Sequence, residues 1–212
     1  MKEWLSGNIF VYIIGLLAQI FFSSRLLVQW LLSEKAKKVV NPSIFWIFSL
    51  IAAILLFIYG YLRNDFAIIL GQTLTYFIYI RNMQLKGLWH NKIISAILLF
   101  LPVIFILFSL FNYKMEYNDF FKNKNIPVLL LMWGSLGQII FTFRFVYQWI
   151  YSEIKRKSVL PLGFWLISLI GSMMILSYAI IRKDPILFLG QSFGAFVYLR
   201  NILIGKKEKN GR

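Results

Sequence analysis

The sequence lacks cysteine and is poor in acidic residues. Without thiols, disulfide bonds and cysteine-ligated metal or redox sites are excluded, although the compartment stays open. Only eight aspartates and glutamates stand against 23 lysines and arginines among 212 residues, and there is one histidine. Every acidic residue is predicted at a helix end or in a loop, so the apolar stretches hold no paired carboxylates and no metal cluster. We therefore predict no catalytic residues, no metal site and no cofactor.

The sequence is rich in long apolar runs and poor in charged residues. Hydrophobic residues make up 59% of the sequence and charged residues 15%, whereas a soluble domain has roughly 45–50% and about 25%. Seven runs approach or exceed the ~17–20 residues with which a helix crosses a bilayer, and they lack the alternation of barrel strands. The sequence thus predicts an all-α integral membrane protein with seven transmembrane helices. The runs lie at 9–31, 44–62, 66–85, 93–111, 126–151, 162–181 and 186–204.

The net charge of +15 is unevenly distributed. With seven spans, twelve basic residues fall on one side of the membrane and seven on the other, where acidic residues dilute them. The positive-inside rule places the first side in the cytoplasm, with the N-terminus outside and the C-terminus inside. The basic tail is expected at an anionic leaflet, and we predict no nucleic-acid partner.

An internal repeat divides the chain. A shift of 119 residues aligns positions 19–82 with 138–201, where 26 of 64 residues are identical and 14 of those 26 are polar or tyrosine. We predict a first three-helix repeat over 1–86, a linker helix and loop over 87–125, and a second three-helix repeat with a basic tail over 126–212. The unpaired helix restores the orientation of the second repeat, so the two bundles are predicted to be parallel, in the 3+1+3 order of SWEET sugar transporters.

An arginine lies inside the first helix of each repeat. Arg25 is about 24 Å from the start of its run, and Gln29 shares its face; Arg144 and Gln148 are their counterparts. An intramembrane arginine is costly and should face the bundle interior or a wet cavity. Two interpretations stay open. The guanidinium groups bind the phosphate of a lipid in a cavity shared by the repeats, or they snorkel toward backbone carbonyls.

Other polar side chains lie on the third helix of each repeat and at helix ends. Three on one face of each third helix are candidates for ligand binding or for hydrogen bonding between helices: Gln72, Tyr79 and Asn82, with their counterparts Gln191, Tyr198 and Asn201. Structural ion pairs are predicted between Glu34 and Arg81 and between Glu153 and Arg200. Tryptophans near helix ends are predicted at the membrane interface: Trp30, Trp46, Trp149 and Trp165.

Four motifs occur in both halves: R-x-x-x-Q-W-x-x-S-E, P-x-x-F-W-x-x-S, Y-x-x-x-R-x-D and G-Q-x-x-x-x-F-x-Y-x-R-N. On these motifs each half resembles the lipid-A-disaccharide synthase N-terminal domain, over about 19–82 and 138–201. That domain looks similar to the three-helix PQ-loop and SemiSWEET-like unit. The resemblance implies a role in lipid A or envelope-glycolipid biosynthesis at the bacterial cytoplasmic (inner) membrane.

Two classes of function follow, and the family name adds a third. The protein binds or translocates a phosphate-bearing lipid or lipid-linked sugar, or it is a non-catalytic membrane partner of a glycosyltransferase. The name also implies lipid-A-disaccharide synthase activity. That activity is the less favoured expectation, because the glycosyltransferase domain of such enzymes is not found in these 212 residues.

Overall fold

The computed structural model describes residues 9–62, 66–88, 127–182 and 185–210. In these ranges it contains helices and no strand, which confirms the all-α prediction, and each helix coincides with a predicted apolar run. The predicted helix at 93–111 lies outside the described residues. The helices are α1 (Ile9–Ala36), α2 (Ser43–Leu62), α3 (Phe66–Leu85), α4 (Val128–Lys155), α5 (Leu162–Arg182) and α6 (Pro185–Asn210).

Four of these helices, α1, α2, α4 and α5, are long and apolar enough to cross a membrane. The third helices of the repeats, α3 and α6, are continuous, but their apolar sequence contains the glycine, amide, hydroxyl and basic residues of the G-Q…R-N motif. Four apolar helices fit association with a membrane. The arrangement of seven spans in 3+1+3 order, and the orientation of the termini, stay predictions.

The chain divides into two compact units. The first unit comprises Met1–Gln29, Asn41–Tyr113 and Lys155–Ser158, and the second comprises Trp30–Val40, Lys114–Ile154 and Val159–Arg212. Each unit therefore contains the body of one repeat and a short helix-end segment of the other. The segment Trp30–Val40 matters for the ion pairs described below, because it brings the end of α1 into the second unit.

The first helix of each repeat ends in the same turn. Lys37 follows α1 with φ 52° and Arg156 follows α4 with φ 49°, a left-handed conformation that glycine usually adopts after a helix. The hydroxyl oxygen of Ser33 accepts a hydrogen bond at 3.2 Å from the backbone N–H seven residues on, and Ser152 accepts the equivalent bond at 3.2 Å. The serine of the Q-W-x-x-S-E motif thus holds the turn that leads into the second helix.

A close contact between the first and second helices is also duplicated. A Cβ atom on Gly15 would lie 2.8 Å from the Tyr59 ring, and one on Gly134 would lie 2.7 Å from the ring of Tyr178. Such distances leave no room for a side chain at either glycine, so each tyrosine packs directly on helix backbone. The two repeats therefore use the same packing to hold a three-helix core around the polar side chains.

Candidate functional site

Arg25 lies inside the first unit. The side chain is only 4% exposed, and its position is about 24 Å along α1. Its Nη1 donates a hydrogen bond to Ser49 Oγ on α2 at 2.7 Å and another to the Tyr79 hydroxyl on α3 at 3.2 Å. The ring of Phe22 lies 4.6 Å from its Cζ atom. All three helices of the repeat therefore contribute to holding this guanidinium.

Arg144 is held in the same way in the second unit. It is also 4% exposed, and its Nη1 donates to the Tyr198 hydroxyl on α6 at 2.9 Å. Its Cζ atom lies 3.5 Å from the ring centre of Phe141 and 4.7 Å from that of Phe145. The sequence had placed an arginine and a tyrosine in each repeat, and the structure brings each pair together.

This surrounding defines what the two guanidinium groups can do. Aromatic faces favour a cation electrostatically and fix the plane of the group. The hydroxyl groups of Ser49, Tyr79 and Tyr198 accept hydrogen bonds from the guanidinium groups and carry no charge of their own. A planar cation of this kind is suited to two parallel hydrogen bonds with a phosphate or carboxylate.

The glutamines one turn further along have other contacts. Gln29 and Gln148 are fully buried. The Gln148 amide donates to Ser152 Oγ at 2.8 Å and to the carbonyl oxygen of Val159 at 2.8 Å. These bonds tie the end of α4 to the turn that follows it. Both Gln148 and Arg144 are buried, and the role of Gln148 in ligand binding stays a prediction.

The amides of the third helices are also engaged in structure. Asn82 and Asn201 each donate to the carbonyl oxygen one turn back, at 2.8 and 2.9 Å, and Asn82 accepts a bond from Ser158 at 2.6 Å. Gln72 has a buried Oε1 atom to which no donor points in the described part of the chain. Gln191 is half-buried. Ligand binding by these side chains stays a prediction.

The structure gives Glu34 a partner other than the predicted one. Glu34 Oε1 lies 2.6 Å from Arg200 Nη2 and accepts a bond from its Nε at 2.7 Å, so its partner is Arg200 and not Arg81. The cause is the placement of the end of α1 in the second unit, together with α6. The carboxylate of Glu153, the predicted partner of Arg200, accepts a bond from Trp149 Nε1 at 3.2 Å, and its pairing with Arg200 stays a prediction.

A charge-reversal experiment tests the observed pair. Glu34→Arg and Arg200→Glu should each lower the free energy of unfolding only slightly, because the two side chains are 32% and 41% exposed and solvent screens them. The double reversal should recover part of this loss, as measured by thermal unfolding in detergent micelles. The matched control combines Glu34→Arg with Arg81→Glu, and equal recovery in that variant would contradict the assignment.

Two equivalent tryptophans that the sequence placed near helix ends are packed inside the protein, and their depth in a membrane stays a prediction. Trp46 and Trp165 are 0% exposed, and each lies 4.9 Å from the ring of the preceding phenylalanine. They differ in one contact. Trp46 Nε1 donates to Asn41 Oδ1 at 2.8 Å, whereas Trp165 Nε1 is buried and meets no acceptor in the described part of the chain. The residue equivalent to Asn41 is Leu160, a difference that comparison of the repeats could have revealed from sequence alone.

Acidic and histidine side chains form no further candidate site in the described ranges. No group of three or more histidines, cysteines, aspartates or glutamates that could hold a metal ion occurs there. The interior arginines and their tyrosine partners are therefore the candidate functional site of the two repeats.

Comparison with known proteins gives the chain a family. The model of the Lipid A Biosynthesis N-terminal domain matches it twice, over residues 14–84 and 133–203. The chain is 34% identical over 206 residues to a lipid-A-disaccharide synthase of Chlamydia felis, and 34% identical over 216 residues to one of Chlamydia pneumoniae. These alignments cover 92% and 96% of this chain but 33% and 35% of the relatives, so the chain spans about a third of their length. No solved structure matches the chain.

Proposed function

Because the chain belongs to the Lipid A Biosynthesis N-terminal domain family and carries two copies of that domain, we propose that it is a membrane module of lipid A biosynthesis that binds a phosphate-bearing lipid or lipid-linked sugar. The family match and the relatives named lipid-A-disaccharide synthase support the pathway. The four apolar helices support a place in the membrane. The membrane of that pathway is the bacterial inner membrane. The distribution of basic residues supports an orientation with the N-terminus outside and the C-terminus in the cytoplasm.

One observation carries the proposal: an interior arginine in each repeat donates to a tyrosine hydroxyl of that repeat's third helix. The pairs are Arg25 with Tyr79 and Arg144 with Tyr198. Keeping a guanidinium charged inside an apolar bundle costs several kcal/mol. A bound phosphate group would offset that free-energy cost, because charge-assisted hydrogen bonds are strongest where water is excluded.

The binding experiment uses the whole chain in lipid nanodiscs. A synthetic diacylated sugar phosphate and the same lipid without its phosphate are titrated, and the bound fraction is measured by native mass spectrometry. We expect the phosphorylated lipid to bind about tenfold more tightly or better, since one charge-assisted interaction contributes more than 1.4 kcal/mol. Equal affinity for the two lipids would contradict the proposal. Movement of the labelled lipid between the leaflets of proteoliposomes would extend binding to translocation.

A second candidate function is that of a membrane partner for a glycosyltransferase. It is favoured by the length of the relatives, in which this module accounts for about a third of a chain named as a synthase. A module joined to an enzyme in one chain can serve the same enzyme as a separate protein. Co-purification of a glycosyltransferase from the native membrane, together with faster disaccharide formation when the chain is added back, would support this role. Disaccharide formation by the purified chain alone would instead make it a synthase.

A further inference from the structure

A polar network lies in the first unit, at the end of α3. Lys86 Nζ donates to the carbonyl oxygen of Asn41 at 2.5 Å. The Asn41 amide donates to Ser158 Oγ at 3.0 Å, and Ser158 in turn donates to Asn82 Oδ1 at 2.6 Å. Together with the bond from Trp46 to Asn41 at 2.8 Å, these contacts fix the start of α2, the end of α3 and the segment Lys155–Ser158 against one another.

The network contains a half-buried lysine that also experiences the positive charge of a second lysine. Lys86 is half-buried, and its burial lowers the pKa of its ammonium group below the ordinary value, with a smaller contribution in the same direction from the charge of Lys157. The described residues of the first unit contain no aspartate or glutamate at all. Their basic residues are Arg25, Arg81, Lys86, Lys155, Arg156 and Lys157. An anion placed between Lys86 and Lys157 would relieve the repulsion between the two ammonium groups.

The repeat indicates that this network is more than a requirement of the fold. Features that hold the three-helix bundle occur twice, among them the serine at the turn and the left-handed residue that follows the first helix. The network occurs once. At the positions equivalent to Asn41 and Lys86 the second repeat has Leu160 and Gly205, and a Cβ atom on Gly205 would lie 3.3 Å from a methyl carbon of Val39. At these two positions the second repeat therefore has an apolar residue and a glycine where the first repeat has an amide and a lysine.

From these observations we propose that Lys86, which Asn41 holds in place, and Lys157, which precedes the bonded Ser158 in the chain, form a binding site for a phosphate monoester at the end of α3. An ammonium group has three donors, and only one of those of Lys86 is used by Asn41. Lysine binds phosphate as a compact point charge. The site deepens the proposed function, on which it rests, because it names further cationic groups, in addition to the interior arginines, that would contact the phosphate.

The test compares Lys86→Met with the wild-type chain in nanodiscs. Methionine keeps the apolar stem of the side chain and removes its charge. We expect Lys86→Met to bind the diacylated sugar phosphate about tenfold more weakly and the dephosphorylated lipid unchanged. Lys157→Met should act in the same direction. Its matched control is Lys38→Met, because Lys38 is the equivalent exposed lysine of the first repeat and belongs to the second unit.

The outcomes separate this inference from the function on which it rests. If the wild-type chain shows no preference for the phosphorylated lipid, the proposed function fails and this site fails with it. If the wild type has that preference and both Lys86→Met and Lys157→Met retain it, the site alone is overturned. Competition by inorganic phosphate distinguishes the source: displacement of the lipid indicates a site for any phosphate monoester, and no displacement indicates recognition of the lipid headgroup. Should Lys86→Met fail to fold, the comparison of Lys157→Met with Lys38→Met decides the question.

Discussion

Changing Arg25 and Arg144 together to glutamine should abolish binding of the phosphorylated lipid while the helices remain folded. Each guanidinium contributes charge-assisted hydrogen bonds of about 1.5–3 kcal/mol, so loss of both should weaken binding by about 100-fold or more. Glutamine can still donate to Tyr79 or Tyr198, but it carries no charge and cannot make two parallel bonds to a phosphate. The measurement is native mass spectrometry in nanodiscs, with helix content followed by circular dichroism.

Two further variants decide whether charge or geometry matters at these positions. Arg25→Lys keeps the charge but loses the planar fork, so we expect an intermediate loss of about tenfold. Arg182→Gln is the matched control, because Arg182 also lies near a tyrosine ring but is exposed at the end of α5. It should leave binding unchanged. A folded double glutamine variant that binds the phosphorylated lipid like the wild type would make the arginines structural.

The sequence predicted those parts of the structure that repeat. A shift of one fixed length relates both matched domains, and this offset identifies the equivalent residues of the two bundles without any coordinates. The cost of a charge inside a membrane then predicts that Arg25 faces the bundle interior, and Tyr79 is a candidate for hydrogen bonding between helices. The two side chains meet because both point into one three-helix core. The same reasoning applies to Arg144 and Tyr198.

The partner of Glu34 could not be predicted in this way, and the duplication is the reason. Arg81 and Arg200 occupy equivalent positions in the two repeats, so Glu34 has two candidates at the same predicted depth. Sequence spacing places a residue along its helix but does not say which of two equivalent helices lies beside it. We assigned the arginine of the same repeat, and the structure places the end of α1 beside α6 instead.

The complete burial of two tryptophans could not be predicted for a related reason. Tryptophan near a helix end usually marks the membrane interface, and that rule takes no account of what the neighbouring helices cover. In both repeats the indole is enclosed by the rings of the preceding phenylalanine and of the tyrosine that binds the arginine. The F-W pair that recurs in both halves was the available signal, because adjacent residues of a helix point about 100° apart and one of the two can then face the helix bundle.

Asn41→Leu should produce the largest loss of stability among substitutions outside the arginine sites, about 2–4 kcal/mol. Leucine is the residue that the second repeat has at the equivalent position, so its backbone conformation and volume suit the fold. The change removes the acceptor of Trp46 Nε1 and the donor to Ser158 Oγ, and a buried donor left without a partner costs about 1–3 kcal/mol. Unfolding in detergent, followed by tryptophan fluorescence or by loss of helix signal, measures the change.

The two tryptophans provide an internal control for this prediction, because they share burial and aromatic neighbours and differ in the partner of one N–H group. Trp46→Phe removes a hydrogen bond to Asn41, whereas Trp165→Phe removes a buried donor that meets no acceptor within the described residues. Both substitutions lose similar apolar contact, so that loss cancels in the comparison. We expect Trp46→Phe to be more destabilising than Trp165→Phe by about 1–3 kcal/mol.

Adding Trp46→Phe to Asn41→Leu should cost less than the sum of the two single losses, because the bond can be lost only once. Equal losses at the two tryptophans would mean that the Asn41 bond contributes nothing to stability, and the network at the end of α3 would then lose its structural basis.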